Sequence, residues 1–229
     1  MIQRPPPDLP GFRLATKPAA EITSAEHDVV FALFDHAYRD ANHAYLEKSL
    51  TKLRYITVAW VDDIAAGFGL ADMRVLDLPR LPAQPVAMAG ICCIDDRFRR
   101  RGIFGQLERR SMMAAGVAPA SRYITAGRMA HPVSFRTMTA NPTAIPKRGV
   151  PTTPWQRDIG IAIAEAYGVP TFDPETFVCH GTGDPIGYPR LDMDVTDDEW
   201  IVFRDVNRDR GDSLLGVAWQ PDAPDGWSV

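Results

Sequence analysis

Nine successive residues, Val86 to Ile94 (VAMAGICCI), carry no charged or strongly polar side chain. The next eleven, Asp95 to Gly105 (DDRFRRRGIFG), hold four arginines and two glycines. The apolar run is about half the length of a membrane-spanning helix, and it is apolar on both of the faces a strand presents. It therefore predicts a central strand covered on both sides. The change to Arg and Gly ends that strand and opens a helix. In the helix Ile103, Leu107 and Ala114 share one face, Glu108, Arg109 and Arg110 are polar, and Gly116 with Pro119 stops it. A strand feeding a glycine-bearing turn and an amphipathic helix belongs to a layered α/β fold.

The rest of the chain alternates in the same way. Gly11 to Thr16 predicts a first strand, and Thr23 with Glu26 has the T-x-x-E spacing by which a helix start satisfies its own free amides. Val30, Leu33, Phe34, Ala37, Tyr38 and Ala41 then fall on one helical face. Arg54 to Val75 turns β-branched and alternating, which predicts a hairpin turning at Asp62 and Asp63 with its second strand ending near Met73. Arg122 to Met129 predicts a strand and His131 to Met138 a short helix. A further helix starts at Thr153-Pro154-Trp155-Gln156, buries Ile159, Ile163, Ala166 and Tyr167, and closes at Gly168 and Pro170. Trp200 to Phe203 and Ser213 to Trp219 read as late strands around an Arg204 to Asp212 loop. The expected organisation is a proline-rich tail over residues 1–10, a core over 11–150, and a C-terminal helix with late strands over 151–229 completing the same domain.

Composition narrows the function classes. The 229 residues have a net charge of −4, which argues against a general nucleic-acid binder, because phosphate-backbone affinity needs a basic surface. No apolar stretch approaches a membrane span and the N-terminal residues lack an apolar signal core, so a cytoplasmic protein without membrane contact is expected. Three cysteines make no disulfide framework, and Cys92 and Cys93 sit together in the apolar run. A strand edge, or the late Trp219 and Trp227, offers a surface for a homodimer, though no pattern requires one.

The Arg/Gly turn carries the chemistry. A strand that turns into a helix aims several free backbone N–H groups and the positive helix end at one point, a place suited to an anion. Arg97, Arg99, Arg100 and Arg101 would add charge-assisted donors, and Gly102 would let the turn come close to a phosphate. Neither the Walker string, G-x-x-x-x-G-K followed by Ser or Thr, nor the dinucleotide string G-x-G-x-x-G occurs. The segment Arg99-Arg100-Arg101-Gly102-Ile103-Phe104-Gly105 resembles the pyrophosphate-binding signature Q/R-x-x-G-x-G/A of the GNAT superfamily of acyl-CoA-dependent N-acetyltransferases, with Phe104 where the last small residue is expected. The order of elements from Gly11 to Met138 is also similar. The resemblance implies a mixed central β-sheet flanked by helices and acetyl-CoA or another acyl-CoA as co-substrate. It further implies that backbone amides from Arg100 to Phe104 hold the pyrophosphate, and that Cys92, Cys93 and Ile94 hydrogen-bond the pantetheine arm. The family's N-x-x-A-x-x-L-Y helix, whose Tyr protonates the leaving thiolate, corresponds here to His131 to Met138, with Met138 in the Tyr position.

Acyl transfer to an amine needs a base or a site that favours the neutral amine, since deprotonating a lysine-like amine at pH 7 costs about 4.6 kcal/mol. Asp95 and His131 are the expected catalytic candidates. Asp95 and Asp96 alternatively pair with the nearby arginines, and His131 or Ser134 alternatively caps or packs a helix. His36 and His43 lie where such families admit substrate. Cys92 and Cys93 could form an acyl-enzyme, but thiols buried in a strand read as core. Cys179-His180 has no partner pair at zinc spacing, and the acidic Asp192 to Glu199 stretch lacks a calcium register and reads as a solvated turn, so no metal is expected. Tyr38, Tyr45, Trp60 and Trp155 read as core, Trp155 alternatively lining a pocket. The expected acceptor is a small-molecule amine rather than a protein, bound by residues after Val150. Two other readings stay open: a non-catalytic CoA-binding protein, and an acyltransferase fed by an acyl-carrier protein.

Overall fold

The structure is a computed structural model, and it describes residues 9–116, 122–191 and 193–227. Most of the proline-rich tail, Pro119 and Asp192 lie outside the described residues. Along the chain the elements are β1 (Phe12–Pro18), α1 (Ser24–Ala37), β2 (Tyr38–Arg39), α2 (His43–Lys52), β3 (Tyr55–Val61), β4 (Ile64–Leu78), β5 (Leu81–Ile94), α3 (Ile103–Ala114), β6 (Tyr123–Met129), α4 (Pro132–Thr139), α5 (Pro154–Ala166), β7 (Phe172–Asp173), β8 (Val178–Cys179), β9 (Tyr188–Pro189), α6 (Asp197–Ile201) and β10 (Ser213–Gln220). This is the expected α/β class, with a large sheet and flanking helices. Among the described residues no helix is long and apolar enough to cross a membrane. The chain divides into two compact units, residues 1–73, 88–119 and 186–191 in the first, and 74–87, 120–185 and 192–229 in the second. Strands β4 and β5 run through both.

In the first unit the strand order is β1-β3-β4-β5. β1 pairs antiparallel with β3 from Phe12↔Val61 to Pro18↔Tyr55, and β3 pairs antiparallel with β4 around a turn in which Asp62 takes a left-handed φ of 52°. The helix α3 packs on these strands through Ile103 and Leu107, which are buried with Ala59 and Ala66 and flanked by Phe12, Leu14, Cys92 and Phe98. The small residues of β4 permit this approach: a Cβ on Gly69 would lie 3.2 Å from that of Leu107. Beneath the helix, the hydroxyls of Thr57 and Ser111 share a buried hydrogen bond of 2.7 Å, so this buried polar pair is satisfied.

The second unit carries the order β5-β6-β10-β8-β7. β10 pairs antiparallel with β6 from Leu214↔Met129 to Gln220↔Tyr123. Helix α5 opens with Thr153 accepting from the Gln156 N–H and the Gln156 side chain accepting from the Thr153 N–H. Trp155, Trp219 and Trp227 meet edge to face, with ring centroids 5.7 Å apart in both pairs, a favoured aromatic arrangement. Trp155 is core and donates its indole N–H to the Pro79 carbonyl at 2.8 Å.

Four expectations change. α1 stops at Ala37, and Tyr38 forms a two-residue bridge with Pro189 instead of a further helical turn. Helix α2 has no counterpart in the sequence reading, because only Leu46 and Leu50 are buried on it and two positions make too narrow a stripe to show a period. β4 continues to Leu78 and β5 starts at Leu81 rather than Val86, the proline residues 82 and 85 having hidden the strand. Trp200 belongs to helix α6, not to a strand. The reason was present in the sequence, as Thr196 and Glu199 close a capping box.

Candidate functional site

The expected covering of β5 on both faces holds for its middle, where Val86, Ala87 and Met88 are fully buried. Toward its end the pattern alternates: Ile91 and Cys93 are buried, Cys92 and Ile94 only half-buried, and Gly90 is exposed. One side of the strand end is thus incompletely covered by protein. The chain leaves it through Asp95, whose N–H donates to the Ala66 carbonyl at 3.0 Å, and a short 3-10 turn over Asp96–Phe98. Arg100 and Gly102 then take left-handed φ values of 62° and 79°, and α3 starts with no side chain capping it. Its first amides are therefore available to an external acceptor.

Gly102 is required for its backbone conformation, since a left-handed φ disfavours any residue with a Cβ. No atom lies within 4 Å of a Cβ placed on Gly102 or Gly105, so the mouth of the turn is open. The arginines divide into two pairs. Arg97 is committed to Asp95, donating Nε at 2.9 Å and Nη2 at 2.8 Å to its two oxygens. Arg99 donates to the carbonyls of Ile94 at 3.2 Å and Arg190 at 2.7 Å. Arg100 and Arg101 are exposed on the turn. Two of the four arginines thus build the turn and two remain as side-chain donors, fewer than the sequence alone suggests.

The ionisable groups around β5 sort by burial. Burial pushes the Cys92 and Cys93 thiols well above their ordinary range, so neither is a thiolate near neutral pH and both read as core. Burial likewise pushes the Tyr38 phenol up, with Cys93, Cys92 and Tyr45 adding to the effect. On α3, Glu108 is only half-exposed and desolvation raises its carboxyl to about 7. Sequence reasoning missed Glu108 by counting it among the polar residues of the helix. The available signal was spacing: it stands four residues after Phe104 and four before Met112, beside the apolar stripe.

The named catalytic candidates fall in different units. Asp95 is 7% exposed, and its carboxyl is held below the ordinary carboxylate range first by the side-chain hydrogen bond from Arg97. With both oxygens engaged it is a poor proton acceptor, and its geometry is that of the salt-bridge alternative. The structure also brings His36 from α1 to this place, Nε2 lying 3.2 Å from Asp96 Oδ1. Ligand atoms of His36, Asp95 and Asp96 all lie within 4.8 Å of one another, but the Arg97 guanidinium occupies Asp95 and puts a positive charge against the cluster. His43 pairs with Asp35 at 2.6 Å. In the second unit His131 caps α4, Nδ1 accepting from the Val133 N–H at 3.3 Å, and its ring meets Trp200 edge-on at 5.2 Å. Burial lowers its pKa, with Arg208 and Arg136 adding to the effect. With Nδ1 accepting, the proton of the neutral ring is on Nε2. Met138 packs within the same unit, its Cγ 3.2 Å from where a Cβ of Gly216 would lie.

Other polar clusters are structural. Asp212 accepts from the Gly181 and Asn207 N–H groups and from the Arg210 guanidinium, which folds the Arg204 to Asp212 loop around it. His180 joins this network, 3.5 Å from Asp212. Asp197, Asp198 and Glu199 form the first turn of α6, with Glu199 gripped by Arg136.

No family model matches the sequence, and no curated protein matches it. Solved structures do. An aminoglycoside acetyltransferase from an uncultured soil metagenomic sample, in complex with sisomicin, is 15% identical over 46% of this chain and 70% of its own, with a TM-score of 0.34. The aminoglycoside N-acetyltransferase AAC(6')-Iy in complex with CoA is 19% identical over 61% of this chain and 90% of its own, at 0.38. An IAA acetyltransferase from Bacillus cereus is 8% identical over 56% and 74%, also at 0.38. These three solved structures are acetyltransferases, each matched by about half of this chain.

Proposed function

We propose that this chain transfers an acetyl or other short acyl group from an acyl-CoA to the amine of a small molecule, by direct attack while both are bound. The observation that carries the reading is the uncapped start of α3, with left-handed Gly102, set at the end of a strand whose last residues are half-open. The amides from Arg100 to Phe104 would hold the donor's pyrophosphate, with Arg100 and Arg101 adding charge. The backbone of Cys92 to Ile94 would run beside the pantetheine arm, a free N–H there polarising the thioester carbonyl. Holding amine and thioester at attack distance supplies much of the acceleration such a reaction needs. Asp95 in this reading keeps the turn in shape through Arg97.

Calorimetry of acetyl-CoA and CoA with the purified protein tests the reading. Micromolar binding that weakens with salt is expected. Absence of binding to either removes the donor assignment. Gly102→Trp should abolish binding with the fold retained by circular dichroism, since it forces a bulky residue into a left-handed position at the mouth of the turn.

A second reading has one observation in its favour: Met138, in the place where the resemblance expects a Tyr acid, is packed against Gly216. A non-catalytic CoA-binding protein would bind the donor yet show no thioester loss with any of a panel of amines.

A further inference from the structure

We propose that the outer edge of β1, with the groove between β1 and α3, takes an acidic, extended segment of a partner protein as an added strand. β1 ends the sheet: β3 is its strand neighbour and, among the described residues, no strand lies on its other side. The register shows which backbone groups are left. Gly11 accepts from the Asp62 N–H at 3.2 Å, and the Ala19 N–H donates to the Arg54 carbonyl at 2.7 Å. Between them the pairing runs in one register from Phe12↔Val61 to Pro18↔Tyr55. Odd-numbered residues therefore exchange their hydrogen bonds with β3, and even-numbered ones turn N–H and C=O outward. The Phe12 N–H is spent on the Leu9 carbonyl at 3.1 Å, and Pro18 has no N–H. Leu14 and Thr16 are left with donors and acceptors aimed at a further strand.

The side chains beside this edge choose the occupant. A groove of about 360 Å³ lies along it, between Phe12 and Leu14 of β1 and Arg109, Arg110 and Met113 of α3. Those three helical residues share one side of α3 by their three- and four-residue spacing. Met113 is 41% exposed, so an apolar side chain laid over it and Leu14 would cover surface that now faces water. On the opposite face of β1, Arg13 stands over the Trp60 ring at 4.8 Å. Among the described residues none of Arg13, Arg109 and Arg110 is paired with a carboxylate, whereas Lys17 is neutralised by Glu26 at 2.7 Å. Positive charge thus flanks the open edge from both faces, on a chain of net charge −4.

Charged residues on an edge strand ordinarily keep other strands away. Here they do so for a basic strand and for a second copy of this chain, whose own arginines would stand against these, like charge opposite like. An acidic strand meets the reverse. Carboxylates on its α3 side reach Arg109 and Arg110, one on its other side reaches Arg13, and an apolar residue between them covers Leu14 and Met113.

The test uses a rhodamine-labelled peptide, Ser-Glu-Val-Glu-Glu-Val-Glu-Ser, which presents glutamates and a valine on both faces of a strand, and reads its anisotropy on titration with the full chain. Saturable binding that weakens with salt is expected, and the same peptide with lysine for glutamate should not bind. The double variant Arg109→Ala, Arg110→Ala should weaken binding about tenfold, by the usual scale of two exposed ion pairs. Its circular dichroism should be unchanged, since both residues lie outside the buried stripe of α3. Of two peptides N-methylated on alternate residues, the one methylated on the amides that face β1 should lose binding and the other keep it. Hydrogen exchange at the Leu14 and Thr16 amides should slow in the complex. Equal loss or equal retention for the two methylated peptides overturns the added strand. So does absence of binding at millimolar peptide, or a chain that self-associates through β1 and excludes the peptide.

Discussion

At the scale of single residues, the charges that matter are those whose environment sets them apart from water. Glu108 and Asp95 are both carboxylates of the first unit, one raised by desolvation and the other lowered by a guanidinium fork. Their linkage to stability has opposite sign. The folded state holds the Glu108 proton up to about 7, against an ordinary 4.5, so its contribution is full below the ordinary value and is lost as pH rises through the folded one. Thermal melts from pH 5 to 8 should show the wild type losing Tm relative to Glu108→Leu as pH rises. A difference independent of pH would contradict the shift. Asp95, Glu199 and Asp212 are all lowered. What they contribute is present above their ordinary values and lost in acid, below about pH 4. Arg97→Ala should narrow that acid limb, with only a small cost near neutral pH because the guanidinium is largely exposed.

At the scale of elements, α3 links packing to the site. Its buried stripe of Ile103, Leu107, Ser111 and Met112 fixes the helix on β3 and β4, and that fixes where its uncapped first turn points. Leu107→Ala should cost about 2–5 kcal/mol by the usual scale of a buried leucine, read from chemical denaturation, and should weaken donor binding by loosening the helix start. Gly102→Ala belongs to the same element but acts through the backbone. It should cost about 1 kcal/mol for the left-handed φ, with a smaller loss of affinity than Gly102→Trp. If Gly102→Ala melts at the wild-type temperature, the turn has another conformation available. The start and direction of α3 were legible in the sequence because a strand, a glycine and an amphipathic stripe each speak locally. Helix α2 and the full lengths of β4 and β5 were not, since two buried leucines or a strand containing prolines carry too little local signal.

At the scale of the whole molecule, a net charge of −4 means that anion attraction comes from a local cluster against a repulsive background. Because Arg97 and Arg99 are tied into the turn, acetyl-CoA affinity should fall with salt on a shallow slope set by Arg100 and Arg101. Arg100→Ala and Arg101→Ala should each flatten it, as measured by calorimetry at two ionic strengths. An unchanged slope in both variants would place the anion elsewhere. By itself the sequence determined the α/β class, the hairpin at Asp62, the capped starts of α1 and α5, and the Arg/Gly turn, because each depends on neighbours within a few residues. Only the tertiary structure decided which arginines are free, that Asp95 is locked to Arg97, that His36 reaches Asp96, and that Glu108 is crowded into keeping its proton. Those properties depend on what lies across space from a side chain: an ion pair or a desolvated carboxyl is set by neighbours on other elements, which spacing along the chain does not record.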